Sequence, residues 1–408
     1  MRHSLLTAAI GAAILLGMMS GCTKKPDPSI YDPNWQSLPA PTITSITPQP
    51  SALAGVTVIT ITGTNFSPAI PNDLVYFAAQ PATILSATTT VLTVRSPLIT
   101  GDTLQVTVSV LGSQYFSNYV SYSLKAAVQR VSVPKVGEDA NGLTTDAAGN
   151  IYASLVDSSS GNGTGTWKFT PQQIGQKRDT TNARLYSNTS GVTKWTGLKM
   201  GPGGVLYAAR NLQALYRIPA GGGAGALWVL FPGGPKIYDF DFDANHNVWA
   251  GGDNANIYRV TPGGQIKAFP FLATCRAFRV YNGSLYVGAK TDSVESVWQF
   301  PIVTSDSLGP PTKYFDFSAK YTPNGPGVQS ITFAGDGDMY IGTDAAVGIL
   351  IVHPTGASEP LYPGVIFPEP VAFSWSGNYL FVSRLATVPH SILAINMLKS
   401  GAPYYGIQ

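Results

Sequence analysis

The sequence writes one short pattern six times between Gly142 and Arg384: two apolar residues two apart, a polar turn, then an aliphatic residue followed by an aromatic one. The copies are Leu143–Tyr152, Leu198–Tyr207, Phe240–Trp249, Phe278–Tyr286, Ile331–Tyr340 and Phe373–Phe381. Successive copies start roughly 40–55 residues apart, a period at which one supersecondary unit repeats and buries its apolar face against the next. A second strand is expected after each aromatic, at Thr166–Phe169, Leu215–Ile218, Ile257–Val260, Val297–Phe300, Ile349–Val352 and Ile392–Ile395. No amphipathic helical stretch interrupts this half. Short strands, glycine-bearing turns and one aromatic per unit describe radially arranged blades, and six of them fit a closed β-propeller. A buried ring contributes several kcal/mol gross, at ~25 cal/mol per Å² over roughly 150–250 Å². Core packing therefore accounts for Tyr152, Tyr207, Trp249, Tyr286, Tyr340 and Phe381.

Composition points to an exported β protein of more than one domain. Charged residues are only 12% of the 408, while Gly, Pro and Tyr are abundant. A net charge of +3 leaves no basic stripe, which excludes nucleic acid as a partner. After Met1-Arg-His, the apolar run Leu5–Met19 is shorter than the ~20 residues a spanning helix needs. The Met19–Cys22 stretch that follows resembles the bacterial lipobox, with Met where Leu is usual. That resemblance implies a signal peptide at 1–21, cleavage before Cys22 and a lipid on its thiol. Cys275 then has no partner for an intramolecular disulfide and reads as a small buried hydrophobe. Thr23 in place of Asp implies, by the same resemblance, sorting to the outer membrane, with the face left open. Residues 22–41 carry five prolines after Cys22 and read as an extended tether, its Tyr31 and Trp35 solvated.

From Thr42 to Lys125 the pattern changes to short alternating strands at sandwich-like spacing, including Val56–Thr62, Leu74–Phe77, Val91–Val94, Leu104–Val110 and Val120–Leu124. The run Pro41–Pro48, then Gly55, then Ile59–Phe66, resembles an IPT/TIG domain, which is immunoglobulin-like; Val75–Phe77 and Arg95–Pro97 fall where that family places its next strands. The resemblance implies a spacing role or contact with carbohydrate or protein, and brings no catalytic residues. Gly63 and Asn65 suit a turn that needs positive φ. The six-fold half, 126–408, resembles NHL-type and senescence-marker/gluconolactonase propellers. The expected fold is thus all-β: an immunoglobulin-like β-sandwich followed by a six-bladed β-propeller.

Residues just before each copy are expected to ring one mouth of the axial channel. Gly142, Gly197, Asp239, Ala277, Ser330 and Ala372 come immediately before, small except for Asp239. One step earlier stand Asn141, Thr196, Tyr238, Arg276, Gln329 and Val371, with Glu138, Trp195 and Glu369 close by. Asn141, Tyr238, Asp239, Arg276 and Gln329 make a candidate polar binding site; satisfaction of strand ends and channel waters is the competing account. The alternating acids from Asp239 do not form an EF-hand, because its sixth and twelfth positions would be Ala244 and Ala250. Asp243 aligns with Asp146 at a turn position that bonds its own backbone. Lys199, Asp241 and Arg279 align in consecutive units, and a charge cluster between blades is expected of them.

Histidines 3, 246, 353 and 390 show no zinc-type spacing, and nucleophile-elbow and P-loop patterns are absent. The function expected is non-catalytic: a lipid-anchored envelope protein that binds a glycan or another envelope protein at the propeller face, without a cofactor. The alternative is a metal-dependent, lactonase-like hydrolase at the channel mouth. The gluconolactonase resemblance would draw its metal set from Glu138, Asn141 and Asp239, with calcium as the metal and Arg276 opposing it.

Overall fold

Strict in–out alternation builds the first domain. Along Val58–Thr64, Ile59 and Ile61 are fully buried while their neighbours face outward, and Leu92 and Val94 repeat the pattern on the adjoining strand. The computed structural model describes residues 34–131, 137–170, 183–188, 194–210, 212–321, 325–366, 370–384 and 392–407; the expected signal segment, Cys22, the expected tether up to residue 33 with Tyr31, and Glu369 lie outside the described residues. One sheet orders Thr42–Thr47, Val58–Thr64, Val91–Arg95 and Thr83–Ala87. The facing sheet orders Ser51–Leu53, Val120–Lys125, Gly101–Val110, Asp73–Phe77 and Gln80–Pro81. Asn65 takes φ 60° as its turn demands, and its amide donates to the Ala40 carbonyl at 2.8 Å. Gly63 is needed for a different reason from the one expected. Its φ is not positive; a Cβ there would lie 1.9 Å from the Thr42 carbonyl oxygen across the strand pair.

Six antiparallel blades follow, each of four strands, with one further short strand, Ser307–Leu308, added in blade 4. From the inside outward, blade 1 is Glu138–Thr145, Ile151–Asp157, Gly163–Phe169 and Arg184–Ser187, and blade 2 is Gly197–Met200, Leu206–Arg210, Ala214–Ile218 and Ala226–Leu230. Blade 3 is Ile237–Phe242, Val248–Gly252, Asn256–Val260 and Ile266–Pro270; blade 4 is Thr274–Tyr281, Ser284–Thr291, Val294–Thr304 and Thr312–Asp316. Blade 5 is Val328–Phe333, Met339–Thr343, Ile349–Val352 and Ser358–Pro360. Blade 6 takes Pro370–Ser376, Tyr379–Arg384 and Ile392–Asn396, and its outermost strand, Val128–Val131, comes from the start of the domain. The ring is therefore closed by pairing between its two ends.

The repeated sequence pattern covers the first hairpin of each blade, so the strand expected second is in fact the third. The outer strands escaped the sequence because one of their faces is solvated and their apolar pattern is weak. All six pattern aromatics are at most 7% exposed and pack between sheets. Two of them also close the turn beside them. Asp243 accepts from the amides of Asn245 and Asn247 at 2.9 Å and from the Trp249 indole at 2.9 Å. Asp146 likewise accepts from the Asn150 amide and the Tyr152 hydroxyl, both at 2.9 Å.

An innermost strand has one edge without a strand partner, and its backbone groups must be satisfied some other way. Side chains from the preceding blade do this. Thr144 accepts from the Met200 amide at 3.1 Å, Asp239 from Phe278 at 3.0 Å and Asp241 from Val280 at 2.9 Å. Ser330 donates to the Pro370 carbonyl at 3.0 Å. Where the inner strands finish, the C-terminal segment Ser400–Ile407 crosses the axis. The Gly335 amide donates to the Ser400 carbonyl and the Ala402 amide to the Phe333 carbonyl, both at 2.9 Å. Tyr404 meets Thr332 at 3.0 Å, and Ile407 packs with the cluster that holds Leu198 and Met200.

Candidate functional site

The opposite mouth is shaped by a backbone irregularity repeated around the ring. In blades 1, 3, 4, 5 and 6 the inner strand shifts register against its neighbour at one equivalent place. Tyr238, Arg276, Gln329 and Val371 are the single extra residues of the last four, and Asn141 and Gly142 share the shift in blade 1. A bulge leaves one residue unpaired and re-aims its side chain. All four of the single extra residues are accordingly half-buried between fully buried neighbours on at least one side.

Thr196, Tyr238, Asp239, Arg276, Ser330 and Val371 line one recess on the axis, together with Lys199 below them. Of the five candidate site residues, the structure brings together Tyr238, Asp239 and Arg276 in this recess. Asn141 and Gln329 do not line it. Asn141 is 6% exposed, and its carbonyl accepts from the Ser383 hydroxyl at 2.5 Å. Glu138, proposed with Asn141 and Asp239 as a metal set, is buried and does not line the recess either. Among the described residues no group of three His, Cys, Asp or Glu side chains is placed to hold a metal ion.

The recess is small. It offers about 30 Å³ of room for water, against ~10–15 Å³ for a single molecule. Two layers of inner-strand residues explain this. The lower layer, Thr144, Asp241, Arg279, Thr332 and Ser374, is at most 3% exposed. Arg279 donates to Asp241 at 3.0 Å and to the carbonyls of Val280, Ala402 and Pro403 at 2.9–3.0 Å, and it lies over the Tyr404 ring at 4.0 Å. The C-terminal segment and Arg279 thus fill the channel beneath the recess.

The expected charge cluster resolves into two pairs. Asp241 meets Arg279, whereas Lys199 lies 3.5 Å from Asp239 in the upper layer. Burial pushes the Lys199 ammonium down, but Asp239 and Asp241 together outweigh it and hold the group above the ordinary lysine range. Burial pushes the Asp239 carboxyl up, opposed by Lys199 and by the Phe278 amide. Gly197 permits this arrangement, since a Cβ there would lie 3.2 Å from Asp239 Oδ1. Asp239 therefore already serves Lys199 and the next blade's backbone, and the lysine beside it disfavours a cation. Burial also raises the Tyr238 phenol, partly offset by Arg276.

Glu295 was not singled out from the sequence. It is 6% exposed, accepts from the Val328 amide at 3.4 Å, and has its carboxyl raised by burial against the pull of Arg276. A Cβ on Gly327 would lie 3.0 Å from an Arg276 nitrogen and 3.2 Å from a Glu295 oxygen, so both groups close on one glycine between blades 4 and 5. Cys275, in the same strand as Arg276, is fully buried with its thiol pushed up to about 12 by burial, which makes it unreactive.

Residues 41–124 match the model of the IPT/TIG domain. No curated protein matches the chain in sequence. Among solved structures, an auxiliary nutrient binding protein from Bacteroides thetaiotaomicron VPI-5482 is similar over 90% of this chain and 98% of its own, at 12% identity and a TM-score of 0.53. A candidate phosphatase from the same organism covers 90% and 98% at 10% identity, with a TM-score of 0.56. A candidate gluconolactonase covers 68% of this chain and 94% of its own at 14% identity, with a TM-score of 0.51. At these identities the likeness is one of fold, and three different functions share it.

Proposed function

We propose that this chain is a lipid-anchored envelope protein, held through Cys22 at the outer membrane, whose propeller binds a glycan or another envelope protein without catalysing a reaction. The observation that carries this reading is the bulged polar rim above a filled channel. Tyr238, Arg276 and Thr196, each half-buried, line a recess too small for a sugar ring, so a ligand rests on this rim rather than entering the axis. Gln329, half-buried at the equivalent bulge of blade 5, extends the rim in this reading, whereas the buried Asn141 does not. A hydrolase would need a reacting group held next to a metal or nucleophile, and Asp239 is committed to Lys199 and the Phe278 amide. The nutrient-binding name of one structural relative agrees in kind with the proposal.

The experiment is a glycan array and a co-purification from solubilised envelopes, each run with the parent protein and with Tyr238→Ala/Arg276→Ala. Binding that survives chelation and is lost in the variant is the expected outcome. A calcium-dependent rise in melting temperature, together with lactone hydrolysis that chelation abolishes, would overturn it in favour of the metal-dependent hydrolase.

A further inference from the structure

We infer that the end of the sandwich where the described chain begins is a surface that seats on a lipid bilayer. The inference rests on the proposed anchor at Cys22 for its setting, but on separate residues for its content. Trp35, Leu38, Leu111, Tyr115, Phe116 and Tyr119 are each 53–72% exposed. They belong to two segments joined to each other: the Leu38 amide donates to the Gly112 carbonyl and the Gln114 amide to the Ser37 hydroxyl, both at 2.8 Å. Isolated exposed hydrophobes need no explanation, but six on two bonded segments form a patch of the kind that marks an interaction surface.

Three features select a bilayer as the occupant. Neither Asn34–Pro41 nor Leu111–Tyr119 contains an Asp, Glu, Lys or Arg, so nothing charged would be drawn out of water with the patch. Tryptophan and tyrosine, apolar with one polar tip, are the side chains best suited to the depth of lipid headgroups. Finally, only twelve residues, Thr23 to Asn34, separate the anchoring cysteine from Trp35. At ~3.1–3.5 Å each they reach about 40 Å at most, so the anchor keeps this end within reach of the membrane.

The loop 111–119 leads into the strand Val120–Lys125, and the propeller's first strand starts at Val128 from that strand's other end. The patch and the propeller thus leave opposite ends of one strand. Acyl chains alone would hold the protein on the membrane; seating of the patch fixes its orientation, which a flexible tether does not.

The test uses full mature chain carrying Cys22→Ser, so that no lipid contributes, floated with vesicles of phosphatidylethanolamine and phosphatidylglycerol. The expected result is flotation that falls at least about tenfold in Tyr115→Ser/Phe116→Ser/Tyr119→Ser, as loss of three partly inserted rings demands. Quenching of Trp35 emission by brominated lipid should disappear in the same variant, and an unchanged melting temperature would show that it folds. No flotation of the parent, equal flotation of both, or binding to soluble oligosaccharides through these aromatics without vesicle binding would overturn the inference. Failure of the anchor reading shows separately, as the absence of acyl mass on Cys22 in protein isolated from membranes.

Discussion

Arg279 carries a full charge at 1% exposure, where desolvation alone costs several kcal/mol. It is tolerated because Asp241, three carbonyls and the Tyr404 ring surround it. Removing one member should cost far more than removing both. We predict that Asp241→Ala destabilises the protein by about 3–5 kcal/mol in denaturant unfolding, and that Asp241→Leu/Arg279→Met loses markedly less than the sum of its single changes. The pairing of opposite charges in consecutive blades was legible in the sequence. The assignment of Lys199 to Asp239 was not, because residues aligned in sequence sit at the same height, and the shorter reach is to the neighbouring layer.

His353 makes a second prediction at this scale. The hydrogen bond to Asp338, at 2.8 Å, outweighs burial and holds the imidazole above its usual range, with Glu359 adding at 3.5 Å. A raised folded-state value contributes stability fully below the unfolded value of ~6.5, and that stability is lost as pH rises through the folded value. The difference in denaturation midpoint between parent and His353→Gln should therefore shrink as pH rises from 6 through that window. A difference independent of pH would count against this account.

Among the elements, the inner-strand bulges and the C-terminal segment decide what the propeller presents. Neither was visible beforehand. A bulge is a relation between two strands, so its signature lies in the partner's register and not in the residues that bulge. Residues 400–407 have no alternation to read, and their place is set by the unfilled end of the channel. The segment depends on close approach: a Cβ on Gly406 would lie 2.2 Å from the Met200 carbonyl, and one on Gly401 2.0 Å from the Trp375 ring. We predict that Gly406→Val displaces the segment and lowers the melting temperature by several degrees, consistent with a loss of ~1–3 kcal/mol. Hydrogen exchange should then accelerate at the Ala402 amide, which bonds to Phe333.

For the whole molecule, closure of the ring depends on four residues, Val128–Val131, paired with Ile392–Ile395. A propeller beginning at Ala126 retains that strand, and one beginning at Pro134 lacks it. The first should unfold cooperatively at a midpoint close to that of the propeller in the full chain. The second should lose cooperativity or become aggregation-prone, because the outer edge of blade 6 is then unpaired. Equal stability of the two would show that closure by this strand is dispensable.

The amino-acid sequence alone determined the class of fold, the number of blades, the sandwich before them and the burial of one aromatic per unit. Each of these is written in local periodicity, which the backbone reads out at 2 residues per repeat in a strand and once per blade along the chain. Only the tertiary structure decided which residues meet at the axis. Six strands far apart in sequence converge there, and small register shifts choose which side chains face the mouth. The same convergence settles why Asp239, conspicuous among small residues, is occupied: its nearest neighbours come from blades 2 and 4, at Lys199 and Phe278. Contacts of that kind depend on distance in space, and the chain's own order does not encode them locally.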